Sequence, residues 1–138
     1  MLIVEDNTQI STFLCELLKD SYQIIKAENG RSGLAIASSF IPDLIIADEM
    51  MPVMSGMEMT KRIKENPKLS AIPILMLTAK IDNKTESESI KNGIDVFMSK
   101  PFDPKTLLGR IEQLIEKRKA IRAQLRIETI IENETKPI

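Results

Sequence analysis

Four stretches of the chain are apolar without alternation: Leu2-Ile3-Val4, Leu44-Ile45-Ile46-Ala47, Ile74-Leu75-Met76-Leu77 and Val96-Phe97-Met98. Each stops abruptly at polar residues, respectively Glu5-Asp6-Asn7, Asp48, Thr78-Ala79-Lys80 and Ser99-Lys100-Pro101. Short, wholly apolar runs suit strands covered on both faces, as inside a parallel sheet. Residues 22–27 read as a fifth strand, closed by the turn Glu28-Asn29-Gly30. Between these runs the period changes. Ile10, Phe13, Leu14, Leu17 and Leu18 recur at helical spacing behind Asn7 or Thr8, either of which can cap a helix. Leu34, Ile36 and Ala37 mark a second helix that ends near Pro42. A loop through Pro52, Ser55 and Gly56 leads to a third over 57–64, with Met59 and Ile63 facing inward. Residues 85–92 form a weakly apolar fourth helix with Gly93 as C-cap, and its few anchors predict mobility. Pro104 opens a fifth, with Leu107, Leu108, Ile111, Leu114 and Ile115 on its inner side. Residues 116–126 are charge-rich but keep Ile121 and Leu125. Residues 127–138 lose periodicity and read as linker or frayed tail.

Strand and helix alternating five times predict an α/β fold, a doubly wound parallel sheet with right-handed crossovers. Parallel strands all end at one edge, and open α/β sheets place their ligand sites there. Alone, Asp48 would do no more than begin a turn. With Glu5-Asp6, Thr78 and Lys100 closing three other strands, it joins a site.

Composition narrows the chemistry. The chain has 138 residues, enough for one domain with a core that needs no staple. Charged residues make up 28% and the net charge is −1, so no basic field awaits nucleic acid. The single Cys15 cannot form an internal disulfide and fits a small buried hydrophobe in a reduced, cytoplasmic setting. No apolar run reaches the ~18 residues of a membrane span, and Glu5 and Asp6 argue against a signal peptide. Histidine is absent, which excludes a Ser-His-Asp triad, a zinc-binding His pair and a phosphohistidine made within the chain.

Three carboxylates brought together raise one another's pKa unless a cation intervenes. Two or three acids with room for water and phosphate oxygens describe a Mg²⁺ site better than an all-protein cage. Lys100 adds a positive charge and Thr78 a hydroxyl. Together they are what transfer of a phosphoryl group to Asp48 would need. A plain salt-bridge network of Lys100 with the acids would leave Thr78 and the shared edge unexplained.

On these residues the chain resembles the receiver domains of two-component response regulators. The matching stretches are residues 2–7, 42–56, 74–80 and 93–102, in family order across residues 1 to about 118. The resemblance implies a five-stranded, flavodoxin-like (βα)5 fold with strand order 2-1-3-4-5. It makes Asp48 the phosphoacceptor, Asp6 a direct Mg²⁺ ligand and Glu5 a ligand acting mainly through water, with the Met50 backbone carbonyl completing the protein ligands. Thr78 would follow the phosphoryl group, Lys100 would pair with it across a cis Lys100-Pro101 bond, and Phe97 would be the switch aromatic, here without a hydroxyl. Met50 and Lys80, two residues beyond Asp48 and Thr78, would tune hydrolysis. Glu5, where many members carry Asp, is a mild departure. The implied partners are a histidine kinase or phosphotransfer domain, and an output domain or partner protein at the face built from the 85–92 helix, the Val96 strand and the Pro104 helix, which is also a possible homodimer surface. Residues 119–138 would be an extended last helix and tail. The abrupt start and ragged end predict a piece of a longer protein, such as a hybrid sensor kinase.

Three rival functions fare less well. Phosphatases with an aspartyl-phosphate intermediate resemble a strand ending in Asp-x-Asp, but the second position here is Met50, which cannot donate a proton. A nucleotide- or flavin-binding module would need a glycine-rich phosphate loop, and none follows a strand. A degenerate receiver would lack part of the acid, hydroxyl and lysine set, which is present in full.

Overall fold

The unbroken apolar runs at 2–4, 45–47 and 74–77 fold as the inner strands of one parallel sheet. The computed structural model describes residues 1–79 and 83–135. Along them strands and helices alternate: β1 (Leu2–Val4), α1 (Thr8–Leu18), β2 (Ile25–Ala27), α2 (Gly30–Phe40), β3 (Ile45–Asp48), α3 (Gly56–Glu65), β4 (Ile74–Thr78), α4 (Asn83–Lys91), β5 (Val96–Ser99) and α5 (Pro104–Thr135). The sheet order is β2-β1-β3-β4-β5, with all pairs parallel. Every residue of β1, β3 and β4 is buried, whereas the edge strands β2 and β5 are only partly so. That difference explains why the inner strands read as continuous apolar runs.

Side chains along each inner strand alternate between two cores. Leu2, Val4, Ile45, Ala47, Ile74 and Met76 face α2 and α3, where they meet Ala37, Met59 and Ile63. Ile3, Ile46, Leu75 and Leu77 face α1 and α5, where they meet Leu14, Leu18, Leu107 and Ile111. The expected inward residues of α3 and α5 are therefore the observed ones. Asn7, not Thr8, caps α1 by accepting from the Ile10 N–H; Asn29 and Ser55 cap α2 and α3 in the same way. Gly93 follows α4 at φ +94°, and a side chain there would press on Lys64 Cγ. The Lys100–Pro101 bond is cis.

Two expectations need correction. The strand predicted over 22–27 starts only at Ile25, because Ser21 and Tyr22 donate their N–H groups to Leu18 O and stay in the turn that ends α1. The stretch 127–138, expected to be linker or tail, is helical as far as Thr135. No glycine or proline interrupts residues 110–135, and pairs such as Gln124–Glu128 (3.1 Å) support the helix without an apolar stripe. Past the sheet, α5 is tied down by arginines: Arg118 Nη1 donates to Ala71 O at 2.7 Å and Arg122 Nη1 to Asp43 Oδ1 at 2.9 Å.

Candidate functional site at the carboxyl edge of the sheet

Because every strand is parallel, the residues that close β1, β3, β4 and β5 meet at one edge. Glu5 follows β1 and stays in line by donating its N–H to Ala27 O at 3.0 Å. Asp48 and Thr78 are the last residues of β3 and β4, and Lys100 comes directly after β5, its N–H bonded to Thr78 O. Lys100 Nζ reaches back to donate to Glu5 Oε1 at 2.9 Å and Asp48 Oδ1 at 3.0 Å. One lysine thus bridges residues 95 and 52 positions away in sequence.

Glu5 and Asp48 are buried and Asp6 is exposed, and one carboxylate oxygen from each lies within 4.8 Å of the others. Burial pushes the Glu5 carboxyl up to about 7; the Asp48 charge adds to this and the hydrogen bond from Lys100 opposes it. For Lys100, burial pulls the pKa down, but its bonds to Glu5 and Asp48 outweigh that and the net shift is upward. Among the described residues, Lys100 alone is paired with these acids, one cation against three carboxylates and too little to neutralise them. The other Glu5 oxygen, Oε2, is buried with no hydrogen-bond partner among the described residues. An orphaned carboxylate oxygen costs free energy unless something cationic or protic meets it. Oxygen donors, surplus negative charge and an unmet buried oxygen fit a hard divalent cation of the Mg²⁺ class.

The remaining predicted residues take different places. Thr78 is buried, and its hydroxyl donates to Glu49 Oε2 at 2.7 Å. Phe97 is half-buried, in register with Met76, and packs on the α2/α3 core, the side on which Thr78 lies by alternation. Met50 stands in the loop after β3 with its side chain exposed. Lys80 lies outside the described residues. The same loop turns tightly at Val53, φ +71°, where Met54 N–H bonds Pro52 O at 2.7 Å. Glu49 is the site residue that sequence reasoning missed. Its only signal was adjacency to Asp48, since contact with Thr78 depends on the β3–β4 register.

The sequence model of the response regulator receiver domain family matches residues 1–112. The chain belongs to that family. This receiver is 40% identical over 124 residues to histidine kinase P4 of Formosa agariphila, an alignment covering 90% of the chain and 9% of that protein. It is 32% identical over 116 residues to protein PilH of Pseudomonas aeruginosa, covering 83% of the chain and 96% of PilH. Among solved structures, the signal receiver domain of a signal transduction histidine kinase from Syntrophus aciditrophicus superposes with a TM-score of 0.78 at 33% identity, covering 84% of this chain and 89% of that one. The chemotaxis protein CheY4 of Vibrio cholerae gives 0.77 at 34% identity, covering 82% and 95%. The receiver spans about a tenth of the length of the first curated relatives it matches. It is a receiver domain of two-component signalling, a signalling phosphoacceptor family rather than a conventional enzyme class. No helix among the described residues is long and apolar enough to cross a membrane.

Proposed function

We propose that this receiver accepts a phosphoryl group on Asp48 from a phosphohistidine carried by a partner histidine kinase or phosphotransfer domain. The observation that carries this reading is the Lys100 bridge between Asp48 and Glu5, with Asp6 beside them. An Asp48 carboxylate oxygen attacks phosphorus, the P–N bond breaks, and the electron pair returns to the imidazole nitrogen. Lys100 then pairs with the new phosphoryl oxygens. Glu5, Asp6, Asp48 and, by family resemblance, the Met50 carbonyl would hold Mg²⁺, which when bound neutralises charge on those oxygens. The chemistry is group transfer and self-hydrolysis, not turnover of free substrates. With no histidine, the chain needs a donor from elsewhere. Such donors place the site in the cytoplasm.

On phosphorylation, about −1.5 to −2 of charge arrives at Asp48. Thr78 would turn toward it and Phe97 would fill the space vacated. The face formed by α4, β5 and α5 would then change shape for an output domain, a partner protein or a second copy. Residues 1–118 would form the receiver body and 119–138 the helical extension and tail that carries the signal onward. The lengths of the matched kinases favour a hybrid kinase as the parent protein.

The first test is metal dependence. Incubation with a small acyl phosphate should phosphorylate the receiver with Mg²⁺ and fail with chelator. Asp6→Ala should weaken Mg²⁺ binding in a titration more than Glu5→Gln does. Phosphorylation that persists under chelation would sink the metal assignment.

Lifetime follows from the flanking residues. The exposed Met50 side chain has no group to orient water, and Lys80 has no acceptor to activate it. Both should shield the acyl phosphate and suit it to slow output. Phosphoprotein carrying Met50→Asn and Lys80→Glu, freed of donor, should decay several-fold faster than wild type. Equal decay would show that these side chains do not gate water.

A further inference from the structure

The Thr78 hydroxyl is already engaged. It donates to Glu49 Oε2 at 2.7 Å, an ordinary length for an O–H···O hydrogen bond. The backbone builds this contact. Glu49 N–H bonds Leu77 O at 3.0 Å, which extends the β3–β4 ladder one residue past Asp48 and sets Glu49 opposite Thr78. Glu49 O is held in turn by Gly56 N–H at 3.0 Å. Alternation puts both side chains on the α2/α3 side, following Ala47 and Met76, and Asp48 on the other.

We propose that Glu49 is the positioning residue of the switch, a latch whose carboxylate holds the Thr78 hydroxyl proton until a phosphoryl group on Asp48 takes it. The inference rests on the phosphoacceptor reading of Asp48 and adds a residue to it. Thr78 cannot donate to a phosphoryl oxygen while it donates to Glu49, so switching exchanges one anionic acceptor for another. The exchange also leaves the Glu49 carboxylate without this donor beside a newly charged neighbour. Both effects favour the resting arrangement and keep the unphosphorylated receiver off.

The test compares wild type with Glu49→Met, which keeps length with no more than a weak thioether acceptor, and Glu49→Gln, which keeps an acceptor oxygen without charge. With Mg²⁺ present, beryllofluoride serves as the phosphoryl mimic, and the Thr78 methyl signal is followed by NMR. Glu49→Met should bind beryllofluoride about tenfold more tightly, the scale of one charge-assisted hydrogen bond. Without the mimic, its Thr78 signal should move toward the bound position. Glu49→Gln should fall between the two, and in a Thr78→Ala background Glu49→Met should change nothing. Identical affinity and Thr78 signal in wild type and Glu49→Met would overturn the latch. So would an undiminished effect of Glu49→Met in the Thr78→Ala protein, which would assign the effect to charge alone. Failure of wild type itself to bind beryllofluoride would instead strike at the phosphoacceptor reading, and the latch with it.

Discussion

Replacing Lys100 with methionine is expected to lower the stability of the metal-free receiver by about 3 kcal/mol at pH 8, the scale of breaking a buried ion pair by removing one partner. Lys100 Nζ is the cation between two buried carboxylates, at 2.9 Å from Glu5 and 3.0 Å from Asp48. Without it Glu5 and Asp48 repel one another in a site that water reaches poorly. The loss should depend on pH in a definite sense. The folded-state pKa of Glu5, about 7, lies above its ordinary 4.5, so the native state holds this proton more tightly than the unfolded chain. That contribution is complete below about pH 4.5 and disappears as pH rises through about 7. Wild type without metal should therefore lose some stability between these values. In Lys100→Met the Glu5 pKa rises further, and a protonated Glu5 relieves the repulsion, so the variant's deficit should be smaller at pH 5.5. Mg²⁺ at pH 8 should recover part of it by restoring a cation. Urea unfolding at both pH values, with and without Mg²⁺, measures all three effects. A deficit unaffected by pH and metal would show that Lys100 is not compensating the acids.

Gly56→Ala is expected to cost about 3 kcal/mol or more, at the severe end for a single methyl group. Gly56 opens α3 and donates its N–H to Glu49 O at 3.0 Å, folding the loop back over the end of β3. A Cβ here would drive into the Asp48 carbonyl oxygen, with Met76 Cε at 3.1 Å on another side. The carbonyl is backbone at the strand end, so relief requires moving Asp48 itself. Weaker Mg²⁺ binding should accompany the loss of stability. Gly109, on α5 with nothing within 4 Å of where a methyl group would sit, is the control. Gly109→Ala should be neutral or stabilising by up to about 1 kcal/mol, the helix-propensity difference. Thermal melts that rank the two substitutions alike would contradict this steric reading.

The sheet was legible because burial on both faces leaves unbroken apolar runs, and β1, β3 and β4 lie where those runs lie. Edge strand β2 was read too long because it is only partly buried, so its composition resembles that of the turn before it. The acids, Thr78 and Lys100 were legible as a group because each closes a strand and parallel topology brings strand ends together. Glu49 was not, because its role depends on the register that sets it opposite Thr78. The far half of α5 was missed for another reason. From Ile121 onward its apolar residues are exposed and follow no packed stripe, so periodicity had nothing to report.

Intact mass spectrometry after incubation with a small acyl phosphate and Mg²⁺ tests most directly whether Asp48 is the acceptor. Wild type should gain the mass of one phosphoryl group. Asp48→Asn, which keeps the size of the side chain and removes the nucleophilic carboxylate, should gain none. An adduct of equal yield on Asp48→Asn would place the phosphoryl group elsewhere and contradict the assignment of this site.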